Sequence, residues 1–229
     1  MTTTAAPGPG PSGAPGAAGA SAREGGPTEG GVATTPRPLA VRAVQALERA
    51  RWLDAPADAE QRVATKLLTA SPGLLALLRG RPSGHAVHPP MTDVPIGAWL
   101  SASALDLLGG EKARPASRLL LGLGCVTALP TFTTGLAEWV GTSGGDKRVG
   151  FVHAVTNGAS WAGYAASWWV RRDDDKHGLG VALALGSGVV AAVGGYLGGH
   201  LSVGRDIGTR DPAFADDPAA RELSSPHRR

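Results

Sequence analysis

Residues 149–170 and 178–201 contain no Lys, Arg, Asp or Glu. No other feature of this chain limits its possible folds as tightly. A helix rises about 1.5 Å per residue, so about 20 mainly apolar residues cross the ~30 Å hydrocarbon core of a bilayer. Both stretches meet that length. Residues 116–140 form a third long apolar run, with Pro130 inside it and Glu138 near its end. Residues 89–109 are moderately apolar and carry Asp93 and Asp106. Soluble helices of such length show a charged face, and these stretches lack one. The short basic segments EKARPASR, GGDKR and RRDDDKH separate them and read as loops. Short connections make neighbouring helices antiparallel. The expected fold is therefore all-α, a four-helix transmembrane bundle over residues 84–208.

The rest of the chain differs in composition. Residues 1–37 hold nine glycines and six prolines. Such a segment buries too little apolar surface to offset the entropy of ordering, so a disordered arm is expected. It lacks the basic start and apolar core of a signal peptide. Residues 38–83 alternate apolar and charged positions at helical spacing. Leu39, Val44, Leu47 and Leu53 stand against Arg42, Glu48, Arg49 and Arg51. This is an amphipathic helical segment, either a soluble hairpin or a helix lying in the headgroups. Residues 209–229 are polar and read as a disordered tail. The single cysteine, Cys125, rules out an intramolecular disulfide framework and a multi-cysteine metal site. Placed mid-span among Leu, Gly and Val, it reads as a buried, unreactive thiol.

Each apolar stretch carries a stripe of polar or small residues. The first has Asp93, Gly97 and Ser101. The second has Thr127, Thr131, Thr134 and Glu138, and the third His153, Thr156, Asn157, Ser160 and Tyr164. The fourth has Gly188, Gly195, Tyr196, Gly199 and His200. Polar groups facing lipid are costly, so these stripes are expected to face one another. Following an up-down path, His85, His88, His153 and His200 fall at one end of the bundle, together with Asp93 and Glu138. Ionisable groups inside membrane spans mark functional sites by default. The candidate ligands are His85, His88, His153 and His200, with Asp93, Glu138 and Asn157 as supporting polar groups. Such a layer suits haem b with two axial imidazoles, a divalent metal, or a proton or quinone site. The alternatives are a scaffold in which the same groups only bond helix ends together, and a small transporter using Thr127, Thr131, Thr134 and Glu138. The spacing of His85 and His88 lacks the glutamate of a zinc protease helix, and Pro89–Pro90 argues against one continuous helix bearing both. No serine, cysteine or carboxylate constellation points to a hydrolase, and no enzymatic activity is assigned.

Three segments taken in order, GHAVHPPMTDVPIGAW, FVHAVTNG and GGYLGGHLS, resemble a family of predicted bacterial membrane proteins, the domain-of-unknown-function 2231 family. The resemblance runs from about Gly84 to Gly208 and matches His85, His88, Asp93, Pro95, Gly97, His153 and His200. Ala86 stands where the family usually has proline. The resemblance implies a multi-spanning protein. Because some members carry a Rieske iron–sulfur domain, it also implies an electron-transfer setting. Residues 209–229 contain no cysteine, so a redox role is expected to need a separate partner protein.

The basic residues flanking the spans divide evenly. Arg79, Arg81, Lys147, Arg148, Arg205 and Arg210 lie on the histidine side, and Lys112, Arg114, Arg118, Arg171, Arg172 and Lys176 on the other. The positive-inside rule therefore does not choose. A long N-terminal arm with several arginines is hard to translocate. The expected location is the inner (plasma) membrane, multi-pass, with both termini and the histidine layer cytoplasmic. The sequence pI of 9.4 reflects cations that would meet anionic headgroups. Membrane lipid is the expected partner, and nucleic acid is not.

Overall fold

A computed structural model describes residues 37–209, and the expectations for residues 1–36 and 210–229 lie outside the described residues. The described chain is all-helical. Three short helices come first: α1 (Leu39–Arg49), α2 (Asp54–Thr69) and α3 (Pro72–Leu78). Four long ones follow: α4 (His88–Leu108), α5 (Arg114–Trp139), α6 (Gly144–Val170) and α7 (His177–Gly199). A π-helical turn, His200–Gly204, closes α7. Helix α4 packs along α5 and α6 along α7, while α5 meets α6 and α4 meets α7. This closes an antiparallel ring of four.

The interior of the ring is built from small and polar side chains. Ser117, Ala102, Leu121, Ala184 and Ser167 are completely covered. At its centre Trp99 and Tyr164 stack at 4.3 Å with planes 11° apart. Nearby, Trp161 Nε1 donates to the Cys125 carbonyl at 3.0 Å, and Cys125 is half-buried. Most of the large aliphatic side chains point the other way. Leu108 is 87%, Leu119 72% and Val189 69% exposed.

Two helical stretches, Glu111–Trp139 and Asp174–Gly204, are long and apolar enough to cross a membrane. The expectation of four such stretches is thus reduced to two. Helix α4 carries Asp93, Asp106 and prolines 89, 90 and 95. Helix α6 opens with Asp146, Lys147 and Arg148 and is otherwise rich in Gly, Ala, Ser and Trp. Such residues are only weakly apolar.

The amphipathic segment caps the ring. Val44 is buried, and with Leu47 it packs against Val149, Leu197, Leu201 and Ile207. Leu39 faces outward instead. The first turn of α6, which reads as a loop in the sequence, is helical because α1 and α2 neutralise it. Arg148 makes a two-pronged ion pair with Asp54, at 2.7 and 2.9 Å, and Lys147 pairs with Asp58. Gln61 Nε2 donates to the carbonyls of Trp139 and Thr142 at 3.2 and 3.0 Å.

The Arg148 guanidinium bonded to Asp54 holds its carboxyl below the usual carboxylate range. Asp54 therefore stabilises docking fully above its unfolded pKa of about 4, and that contribution is lost as pH falls through the lower folded value. Dyes on Trp52→Cys and Glu111→Cys in a Cys125→Ala background report this by energy transfer. Transfer is expected to hold from about pH 8 to 5 and to change only below about 4. A midpoint near neutrality would assign the tie to an imidazole instead.

Candidate functional site

Helix α4 begins at His88, with Pro89 and Pro90 in its first turn, where missing backbone donors cost nothing. One turn on, Pro95 has no N–H to offer the Met91 carbonyl four residues earlier. Thr131 of α5 fills that gap: its Oγ1 lies 3.1 Å from the Met91 carbonyl and 2.9 Å from that of Thr127. The Thr131 carbonyl in turn lies 3.1 Å from His88 Nδ1, and Thr134 Oγ1 lies 3.2 Å from the same nitrogen. A carbonyl only accepts, so Nδ1 carries the proton, and in the neutral ring Nε2 holds the lone pair.

His153 repeats the arrangement on the other helix pair. Its Nδ1 lies 2.9 Å from the Gly194 carbonyl of α7. Asn157, one turn along α6, places its amide nitrogen 3.1 Å from His153 Nε2. Both rings sit in glycine notches. A Cβ on Gly135 would come 2.8 Å from His88 Cε1, and one on Gly198 would come 2.8 Å from His153 Cε1.

The other candidate residues lie elsewhere. His85 is in the loop before α4, exposed, with Nδ1 3.1 Å from the Ser83 carbonyl. This loop is tight because Gly80 and Gly84 take left-handed conformations, φ +70° and +69°, and a Cβ at Gly80 would overlap the His85 carbonyl. His200 Nε2 lies 3.1 Å from Glu48 Oε1 of α1. Asp93 is exposed. Glu138 is partly buried beside Gly208. The interior of the ring thus receives His88, His153 and Asn157, while His85 and His200 are bonded outside it. Among the described residues, no three His, Cys, Asp or Glu side chains form a group able to hold a metal ion. The four histidines do not fit as one ligand set. His88 and His153 each give Nδ1–H to a carbonyl, as a ligating histidine typically does, but the Nε2 of His153 already faces the Asn157 amide.

The opposite end of the ring holds a cluster that sequence reasoning missed. Arg171 reads as a loop cation, yet it is buried. It forks onto Asp106 of α4 at 2.7 and 2.6 Å, and both side chains are 1% exposed. Its remaining donors meet Ser117 of α5 at 2.9 Å and Ser167 of α6 at 3.1 Å. Ser117 also donates to Asp106 Oδ1 at 2.6 Å, and Ser167 to the Gly180 carbonyl of α7 at 2.6 Å. All four helices are joined through one guanidinium. The signal was present as an aspartate and an arginine, each near the same end of its apolar stretch.

An all-helical ring with aliphatic side chains outside and hydroxyls inside has the character of a membrane protein. The chain belongs to the family of predicted membrane proteins called domain of unknown function 2231 (DUF2231), whose model matches residues 84–211, more than half of the chain. No curated protein and no solved structure matches it.

Proposed function

We propose that this protein crosses the inner membrane four times, through α4–α7. In this reading His88 and His153 hold a haem b or a metal ion inside the bundle for electron transfer to a separate protein. One observation carries the spanning part: most of the large exposed side chains of the ring are aliphatic, while serines and alanines such as Ser117, Ser167, Ala102 and Ala184 are fully covered. Soluble proteins place these the other way round. Helices α1–α3 and both termini lie on the cytoplasmic side. With Arg171 buried in the bundle, the flanking cations become six on the α1–α3 side and five on the other, which favours the same orientation.

The ligand part is supported by the two Nδ1–carbonyl bonds, which leave Nε2 as the basic nitrogen on each ring. When bound, haem b supplies a one-electron couple. The protein's own contribution is to fix both rings from neighbouring helices and to keep water out. The scaffold reading is favoured by the notches at Gly135 and Gly198, which the rings fill as packing groups would.

Absorption spectra of the full chain in mild detergent, oxidised and reduced, with elemental analysis of the same sample, separate the two. The ligand reading expects a Soret band, or a stoichiometric metal, that is lost in His88→Ala and in His153→Ala and kept in His85→Ala and His200→Ala. A colourless, metal-free protein that stays empty after reconstitution would leave the histidines as ties between helices.

A further inference from the structure

At the Asp106–Arg171 end of the bundle, most charged groups are matched. Arg171 has Asp106, Arg114 has Glu111 at 3.1 Å, and Lys176 has Asp173 at 2.8 Å. Arg118 and Arg172 are not matched, and neither are the exposed Lys112, Asp174 and Asp175: among the described residues, Arg118 and Arg172 have no hydrogen-bond acceptor and no ion-pair partner. What holds them is aromatic. The Arg118 guanidinium lies 5.6 Å from the centre of the Trp168 ring. That of Arg172 lies 5.1 Å from the same ring and 3.7 Å from the Trp169 ring. Trp168 is itself seated against α5, where a Cβ on Gly122 would come 2.8 Å from its Nε1. Arg118 Nε is fully covered and has no acceptor. Asp173, the nearest acid in sequence, is spent on Lys176 and on the backbone of Asp175.

Two guanidiniums sharing one indole repel each other, and ring faces offset that repulsion only in part. A covered donor without an acceptor adds a further cost. The repulsion between the two guanidiniums is relieved by one anion with several oxygens. A phosphate fits, because the guanidinium fork matches its oxygens two at a time. The position fits too. Arg118 lies in the second turn of α5 and Arg172 just past the end of α6, at the level where tryptophans favour the headgroup region.

We infer that Arg118 and Arg172, held by Trp168 and Trp169, form a binding site for the phosphate of an anionic phospholipid in the leaflet at this end of the bundle. The inference rests on the spanning reading above. A headgroup with net negative charge is preferred because it brings no ammonium of its own to compete with the arginines.

The test is native mass spectrometry of the full chain in mild detergent, offered phosphatidylglycerol or phosphatidylcholine, with membrane retention under alkaline carbonate measured in parallel. The expected result is a retained phosphatidylglycerol adduct, reduced roughly tenfold in affinity by Arg118→Gln with Arg172→Gln, a change of about one decade in Kd. Lys112→Gln, an exposed cation at the same end, should leave it unchanged. Equal retention by wild type and the double variant, or equal loss in Lys112→Gln, would overturn the site. So would binding of inorganic phosphate with no lipid retained. A chain that resists carbonate extraction yet keeps no lipid defeats this inference alone, whereas one that washes off defeats the spanning reading first.

Discussion

Asp106→Ala is expected to destabilise the bundle by about 3–5 kcal/mol, the usual cost of leaving one member of a buried ion pair without the other. The uncompensated group would be Arg171, whose side chain is 1% exposed. Arg171→Met should cost a similar amount by stranding the aspartate. Replacing both, as Asp106→Leu with Arg171→Met, should recover most of the loss. The hydroxyls that lined the pair keep acceptors of their own: Ser117 reaches the Ala102 carbonyl at 3.2 Å, and Ser167 the Gly180 carbonyl at 2.6 Å. The measurement is reversible unfolding in mixed detergent micelles, followed by circular dichroism, for the two single variants and the double. Strict additivity of the singles would refute a coupled pair.

Gly124→Ala is the second large effect, expected at about 2–3 kcal/mol, near the upper end of what overpacking a tight core costs. The added methyl would overlap Trp99 Nε1 and come 2.6 Å from Trp99 Cδ1. The indole has little freedom to retreat, because it is buried and Tyr164 lies stacked on its face. Trp99→Phe removes the pyrrole edge that the methyl strikes. In the Gly124→Ala background it should therefore cost less than it does alone, and the compensation becomes a measurable coupling in the same unfolding experiment. Equal costs in both backgrounds would show that the clash is relieved elsewhere.

Much of the helical framework was legible before any coordinates. The apolar stretches 89–109, 116–140 and 178–201 end within two residues of α4, α5 and α7, because a mainly apolar run of that length has few alternatives to a helix. The start of α6 was not legible. Asp146, Lys147 and Arg148 read as a loop until Asp54 and Asp58 supply their partners, and those lie about 90 residues earlier. The histidines were found as residues, but their grouping was not. What divides His88 and His153 from His85 and His200 is which backbone carbonyl or carboxylate lies beside each ring, and backbone acceptors leave no trace in a residue pattern. The link between Asp106 and Arg171 spans 65 positions. Each was recognisable as a charge near the end of an apolar stretch, but their pairing depends on how α4 and α6 are turned about their axes.

The clasp between α2 and α6 also sets an order of events during synthesis. Asp54 is 94 residues ahead of Arg148. At about 5–20 residues per second, the ribosome takes roughly 5–19 s to make the intervening chain. Until then Asp54 and Asp58 have no cations to meet, and Val44 has no Val149 to cover it. The first helices to emerge are thus among the last to be seated. Through that interval their apolar face is open to a chaperone or to the membrane surface.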